Sequence, residues 1–168
     1  MLFILAQIFG FIELIITVIY VHFKSKEKIV MWSVILNLIA ATQFFLLNAI
    51  TGGIVSIINA IRCFVFYYYK KKDKKPSTVT LVIFISIAVL SGVITWQNIW
   101  SIIPIIATVI YTYGLWQDKV KVIRITAGIV GFGWGIYDII VMAYVAAIQE
   151  FLQLASSVIA LYTNRKKK

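Results

Sequence analysis

Four short clusters of basic residues, separated by long apolar stretches, constrain the fold of this chain more than any other feature. They lie at 24–28, 70–75, 119–124 and 165–168, and of the 16 Lys and Arg residues only Arg62 lies outside them. A stretch of 23 residues precedes the first cluster, and stretches of 41, 43 and 40 residues separate the clusters. Because a helix rises about 1.5 Å per residue and a hydrocarbon core is about 30 Å thick, the first stretch suffices for one membrane crossing and each of the others for two. The spacing therefore predicts seven transmembrane helices.

The composition supports a membrane location. Hydrophobic residues make up 62% of the 168 residues and charged residues only 13%, whereas soluble domains are roughly 45–50% apolar and roughly 25% charged. A chain with so few charges could not cover so apolar a core with a polar surface. The composition excludes soluble globular, disordered and coiled-coil proteins.

The positions of the charges predict the orientation. With seven crossings, all four basic clusters fall on one face, and the opposite loops, around 51–53, 96–100 and Tyr144, carry no Lys or Arg. The positive-inside rule then places the N-terminus outside and the C-terminus in the cytoplasm. The net charge of +10 marks the cytoplasmic face and favours contact with anionic lipid headgroups there. Nucleic acid is not an expected partner, because no basic face is interleaved with aromatic residues.

Two parts of the chain share the same plan of spans. The predicted spans are 2–23, 29–50, 54–69, 79–95, 101–116, 122–143 and 145–163. A shift of about 90 residues places Asn48 over Asp138 and Asn59 over Gln149, and a shift of 97 in the leading span places Gln7 over Pro104. We therefore expect an all-α membrane protein with a three-plus-one-plus-three plan. Residues 1–69 form one three-helix bundle, 70–100 a basic loop and linker helix, and 101–168 a second bundle with a basic tail.

Polar residues inside the spans are the candidates for function, because such side chains cannot face lipid without leaving hydrogen-bonding groups unpaired. Glu13 and Arg62 lie near the predicted midplane, where they could form a structural ion pair or handle solute or protons. Asp138 and Glu150 lie nearer the outer face, where they could line an outward vestibule. For Glu150 a merely solvated position is equally open. The candidates for a solute path or its coupling are Gln7, Glu13, Asn37, Asn48, Asn59, Arg62, Pro104, Thr108, Trp134 and Asp138.

Three further sequence features bear on this set. Pro104 is the only proline inside a predicted span and could allow a bend. Trp134, one turn before Asp138, could stack on a ring-shaped solute. Gly128, Gly131 and Gly135 form a small-residue face that favours close helix packing.

The stretch FFLLNAITGGIVSIINAIR from Phe44 to Arg62, with Ala6-Gln7 and Ile103-Pro104, resembles the YgjV family of bacterial inner-membrane proteins. The resemblance covers nearly the whole chain and implies location in the bacterial cytoplasmic membrane. This family looks like a distant relative of the PQ-loop group, which includes the SWEET sugar facilitators. That similarity implies two three-helix bundles joined by a linker helix, with a solute path between them. The SWEET pattern has prolines in both bundles, whereas here Gln7 stands at the counterpart of Pro104.

Three functions are compatible with the sequence. A carrier of an unknown small solute, working by alternating access between the bundles, is the leading hypothesis. A non-transporting binding or accessory protein with a structural polar core is the alternative. An intramembrane enzyme is the weakest, because one histidine (His22), one cysteine (Cys63) and scattered acids supply neither a catalytic constellation nor a metal site. We expect no catalytic residues, no metal and no cofactor, and we leave homo-oligomerisation open.

Overall fold

A computed structural model describes residues 1–20, 25–117 and 119–165. Within these residues the chain forms seven α-helices and one 3-10 turn, at Ile99–Ser101 just before the fifth helix. The helices are α1 (Leu2–Tyr20), α2 (Lys26–Leu46), α3 (Ile50–Lys71), α4 (Thr78–Ile94), α5 (Ile102–Trp116), α6 (Val120–Ile140) and α7 (Tyr144–Arg165). Some residues used in the sequence analysis lie outside the described ones. They are His22, Lys24 of the first basic cluster, and the last three lysines, which belong to the basic tail.

Within the described residues, five helical segments are long and apolar enough to cross a membrane. They are Leu2–Ile19, Glu27–Leu46, Ile50–Lys71, Ile99–Trp116 and Lys121–Ile140. Thr78–Ile94 is a shorter apolar helix of 17 residues. Large apolar side chains, among them Phe11 and Ile15 of α1 and Leu90 of α4, are exposed on the outer surfaces of the helices. An outer surface this apolar is typical of helices that contact lipid.

The predicted boundaries were wrong at two turns. The sequence placed a loop around 51–53, but Thr51, Gly52 and Gly53 lie inside α3, and the chain turns at Leu47–Ala49. Likewise Tyr144 is the first residue of α7, and the preceding turn is at 141–143. Both turns come earlier in the chain than expected, because a residue in the left-handed conformation ends each helix, Asn48 with φ 58° and Met142 with φ 62°.

Six of the helices surround a common centre. Sequential neighbours pack as α1 on α2 on α3 and as α5 on α6 on α7, and the ring closes where α1 packs on α7 and α3 on α5. The fourth helix packs on α3 and α5 at the outside of this ring. The centre of the ring is where the polar faces predicted from the sequence meet.

Candidate functional site

A polar cavity lies at the centre of the helix ring. Every helix except α4 contributes to its wall. The space open to the centres of water-sized molecules is about 110 Å³, and a cavity needs only about 10–15 Å³ of such space to hold one water. The cavity therefore has room for several waters or a small organic molecule.

Three carboxyl-bearing residues from three helices line the cavity: Glu13 of α1, Asp138 of α6 and Glu150 of α7. Asp138 is 2% exposed and Glu13 7% exposed. The amide Nε2 of Gln149 donates to Glu13 Oε1 at 3.3 Å. The other oxygen of Glu13 and Oδ1 of Asp138 have no hydrogen-bond partner among the described residues.

Gly131 of α6 makes room for the third carboxylate. A Cβ atom at this position would lie 2.9 Å from Glu150 Oε2. At Gly135, one turn further on, it would lie 3.0 Å from the Phe151 ring. The small-residue face predicted for the sixth span thus packs against α7 at both positions.

The guanidinium of Arg62 occupies another side of the cavity, 1% exposed. Its Nη1 donates to the Thr108 carbonyl at 3.2 Å and to the Thr112 hydroxyl at 2.6 Å. The group also lies 5.3 Å from the centre of the Tyr111 ring. All three partners belong to α5, so Arg62 joins α3 to α5. The described residues show no ion pair between Arg62 and Glu13, so the pairing considered from the sequence is not present.

An aromatic cluster forms part of the wall beside Asp138. Phe44 of α2 stacks on Trp134 of α6, with ring centres 5.6 Å apart, and both line the cavity. Tyr137 packs edge-on against both rings at 5.7 Å. Its hydroxyl accepts a hydrogen bond from the backbone N–H of Gly52 at 3.2 Å. A Cβ atom at position 52 would lie 2.9 Å from that oxygen, so glycine permits this contact between α3 and α6.

Amide and hydroxyl groups from α2 and α3 complete the lining. Asn37 Nδ2 donates to the Ser33 carbonyl at 2.6 Å, and both residues face the cavity. Asn59 and Ser56 of α3 are buried there as well. Oδ1 of Asn59 has no partner within the described part of the chain.

Most of the predicted candidates come together in this cavity, although they span more than 120 positions of the sequence. Those that line it are Glu13, Asn37, Asn59, Arg62, Thr108, Trp134 and Asp138. Three candidates lie elsewhere: Gln7, Asn48 and Pro104.

Pro104 lies in the first turn of α5 and is buried. In the first turn of a helix the backbone N–H has no intrahelical acceptor, so proline removes no helical hydrogen bond there. The bend that its position suggested is therefore not needed to accommodate it.

Gln7 and Asn48 take part in connections near the turns. Gln7 Nε2 donates to the Met142 carbonyl at 2.8 Å, and its Oε1 accepts from the Val145 N–H at 3.4 Å. Gln97 Nε2 donates in the same way to the Asn48 carbonyl at 2.9 Å, and its Oε1 accepts from the Thr51 N–H at 3.3 Å. We call these two side chains the glutamine clamps.

Sequence reasoning missed part of the site. The seventh helix supplies Gln149, Glu150 and Gln153 to the cavity, and the third supplies Ser56. The polar face of the seventh span was visible in the sequence, but the nearness of Glu150 to the outer boundary left a solvated position equally open, and none of these residues was chosen as a candidate. Gln97 carried no signal, because it lies in a predicted loop.

Comparison with known proteins places the chain in a family. The family model Imp-YgjV, described as a bacterial inner membrane protein, matches residues 4–168. No curated protein and no solved structure matches the chain. Since the match covers nearly the full sequence, the chain belongs to the YgjV family of bacterial inner membrane proteins.

Proposed function

We propose that this protein is a carrier that moves a small solute across the bacterial inner membrane. The observation that carries the proposal is the polar cavity enclosed by six helices, with buried polar atoms left without partners. A polar core that only held the helices together would pair its buried groups, because each unpaired one costs about 1–3 kcal/mol. In the part of the chain that the structure describes, Glu13, Asn59 and Asp138 each keep an unpaired oxygen. Their free oxygens are available to a solute.

The proposed carrier consists of two three-helix units, α1–α3 and α5–α7, joined by α4. The second and third helices of the units have equal lengths: 21 residues for α2 and α6, and 22 for α3 and α7. In each pair the starting residues are 94 positions apart (26 and 120, 50 and 144). The shift of about 90 residues expected from the sequence differs from this shift of 94. The expected shift paired Asn48, which lies in a turn, with Asp138, which lies in a helix.

Hydrogen bonds in the two turns support the same register. In the first turn the N–H of Ala49 donates to the Phe44 carbonyl, and in the second the N–H of Ala143 donates to the Asp138 carbonyl. Both pairs differ by 94 positions. Two units that repeat in the same direction, with a single helix between them, are related by an axis along the membrane normal, as in carriers built from parallel repeats.

The glutamine clamps support this arrangement independently. Gln7 belongs to the first unit and binds the turn of the second unit, whereas Gln97, just before the second unit, binds the turn of the first. The acceptors Met142 and Asn48 differ by 94 positions, as do the donors Val145 and Thr51. Each unit is thus fastened to the other by the same contact.

These clamps lie at one end of the cavity, where the turns α2–α3 and α6–α7 and the 3-10 turn meet. Thr51 adds a hydroxyl contact to Ser101 at 3.3 Å and donates to the Thr95 carbonyl at the same end. In the alternating-access cycle that we propose, these contacts close the outer end and must break for the outward-facing state. Transport is then downhill or coupled to an ion, with Glu13 and Asp138 as the candidate coupling groups.

The test is solute uptake into liposomes that contain the purified protein, screened over sugars, nucleosides, vitamins, amino acids and amines. We expect saturable uptake of at least one class above that of protein-free liposomes. Absence of uptake for every class would favour the alternative, a non-transporting accessory protein.

A matched pair of variants ties any uptake to the cavity. Ala107 is buried and lines the cavity, whereas its neighbour Ile106 is 50% exposed on the outer face of α5. We expect Ala107→Trp to abolish uptake, because the larger side chain fills the cavity, and Ile106→Trp to retain it. Equal uptake by the two variants would show that solute does not pass through this cavity.

A further inference from the structure

We infer that the solute recognised in this cavity is a small organic cation with an ammonium group, held by Glu13, Asp138 and Glu150 beside the Phe44–Trp134 wall. This inference rests on the proposed function, since it assigns the chemistry of the same cavity. It starts from a surplus of negative groups: three carboxyl groups face the cavity and only one basic side chain, Arg62, does so among the described residues.

Arg62 does not balance these carboxyl groups. Its Nη1 is engaged by the Thr108 carbonyl and the Thr112 hydroxyl, and its guanidinium lies over the Tyr111 ring. None of the three acids has an ion pair in the described part of the chain. Buried carboxylates without a partner are strongly disfavoured, so a positive charge from outside the protein would be favoured at this point.

Two of the three acids keep a buried oxygen without a partner. Glu13 and Asp138 are both more than nine-tenths buried and line the cavity, and each keeps one oxygen unpaired among the described residues. The Gln149 amide holds the other oxygen of Glu13. Absence of a side chain at Gly131 leaves the space in which the Glu150 carboxylate lies. The acids are thus positioned by their neighbours without being neutralised by them.

The spacing of the acids favours an organic cation over a metal ion. Among the described residues no three His, Cys, Asp or Glu side chains lie close enough together to hold a metal ion. Compact divalent cations need several oxygens at about 2.0–2.6 Å. An ammonium group is larger, has several directional donors and is bound by acceptors that surround it more loosely.

The aromatic wall supplies a surface for the organic part of the solute. Trp134 precedes Asp138 by one turn on the same face of α6, and Phe44 stacks on it at 5.6 Å. Ala107 and Val130 add apolar surface to the cavity. Aromatic rings beside carboxylates attract organic cations through both the ring face and apolar contact. The space open to the centres of water-sized molecules, about 110 Å³, gives room for a small organic cation.

The probe we choose is 2-phenylethylammonium, with 2-phenylethanol as the neutral analogue and 3-phenylpropionate as the anion. Binding is measured by isothermal titration calorimetry on the purified full-length protein in lipid nanodiscs. We expect saturable binding of the ammonium compound, and no binding of the alcohol or the anion at the same concentration. Equal binding of all three compounds, or binding of the anion alone, would overturn the inference.

Variants assign the binding to the acidic residues. Loss of one partner from a buried charge contact should weaken binding by about 30-fold, and we expect this for Asp138→Asn and Glu13→Gln. Glu27→Gln, which changes a carboxyl group outside the cavity, is the matched control and should bind as the parent does. The exchanges are nearly isosteric, and an unchanged size-exclusion profile shows that the variants are folded. Unchanged affinity in both cavity variants would contradict the inference.

The apolar wall is tested by Trp134→Leu. We expect it to weaken 2-phenylethylammonium binding by about tenfold, because a cation–aromatic contact is lost. Unchanged affinity of this variant for the ammonium compound would show that the aromatic wall is not part of the binding site.

Failure of this inference and failure of the proposed function give different results. Uptake of a neutral solute without any binding of the ammonium compound would support the proposed carrier function and contradict the inference that the solute is a cation. Binding of the ammonium compound without uptake of any solute would support the cation site and contradict the carrier.

Discussion

At the scale of single residues, the two tight turns are the most instructive feature. Asn48 and Met142 both have positive φ, 58° and 62°, and both end a helix through the same pair of backbone hydrogen bonds. In the first turn Asn48 N–H donates to Phe45 and Ala49 N–H to Phe44, and the second turn repeats this pattern 94 positions later. These bonds define a Schellman motif. Asparagine tolerates the left-handed conformation, whereas methionine is strained in it.

The first prediction follows from this strain. We expect Met142→Gly to stabilise the protein by about 1 kcal/mol, because glycine adopts positive φ without a clash of Cβ with the backbone. The Met142 side chain is 55% exposed, so little packing is lost, and the carbonyl that accepts from Gln7 remains. The free energy of unfolding is measured by chemical denaturation in detergent micelles.

Asn48→Gly is the control for this prediction. It should change stability by less than about 0.5 kcal/mol, since asparagine is already suited to the conformation. A loss of stability in Met142→Gly would show that the turn is not strained.

At the scale of helices, glycines set how closely neighbours approach. A Cβ atom at Gly92 of α4 would lie 2.2 Å from Ile105 Cγ1 of α5, and one at Gly114 of α5 would lie 2.1 Å from Thr126 Oγ1 of α6. Neither distance is compatible with an alanine unless the facing side chain moves or the helices separate. Helices in membranes gain their stability from this kind of close packing rather than from apolar burial. These contacts fix α4 on α5 and α5 on α6.

We therefore predict that Gly92→Ala destabilises the protein by about 1–3 kcal/mol, the usual penalty for overpacking. Gly133→Ala is the matched control, because its Cβ would lie 3.6 Å from Ile103 Cγ2, an ordinary contact. We expect the control to be neutral or slightly stabilising, since alanine is a better helix former than glycine. Thermal unfolding of both variants in the same detergent checks the difference, and equal midpoints would contradict it.

At the scale of the whole molecule, the end of the ring with the glutamine clamps is the part that we expect to move. Gln7 makes two hydrogen bonds to backbone groups at the α6–α7 turn, and Gln97 makes two at the α2–α3 turn. Loss of one clamp removes two hydrogen bonds, each worth about 0.5–1.5 kcal/mol. A two-state equilibrium between closed and open ends would shift accordingly.

The third prediction is that Gln7→Ala opens this end of the cavity. Ala146 lies near the α6–α7 turn, is buried and lines the cavity. In a Cys63→Ala background, we expect Ala146→Cys to react roughly tenfold faster with a membrane-impermeant thiol reagent added from outside when Gln7→Ala is also present. Gln117→Ala, at the far end of α5, should leave the rate unchanged. A rate that does not depend on Gln7 would show that the clamp is not part of the gate.

The fourth prediction concerns orientation, and it depends on whether α4 crosses the membrane. With 17 residues this helix reaches about 26 Å, near the lower limit of a span. Alkaline phosphatase, which is active only outside the cytoplasm, should be inactive when fused after Asp73 and active when fused after Gln97. Fusions of green fluorescent protein should give the opposite pattern. Equal activity at the two positions would mean that α4 does not cross, and that the seven-span arrangement is wrong.

The sequence alone determined the class of the protein and predicted seven of the residues that line its cavity. Apolar stretches between basic clusters specify helices of membrane length, because lipid tolerates neither charges nor unpaired backbone groups. By the same rule polar residues inside the spans had to face inward, and seven of the ten candidates line the cavity. The family followed from motifs that the sequence carries directly.

Only the tertiary structure decided which polar residues meet. The contacts of Arg62 with Thr108 and of Gln149 with Glu13 join positions 46 and 136 residues apart, and local pattern does not encode such distances. The positions of the two turns also depended on the fold, because a left-handed residue ends a helix where its backbone hydrogen bonds allow and not where hydropathy changes. The role of Gln7 depended on the fold as well, because its partners Met142 and Val145 are distant in sequence. Periodicity predicts which face of a helix is polar, whereas the packing of the six helices determines the partners of each side chain on that face.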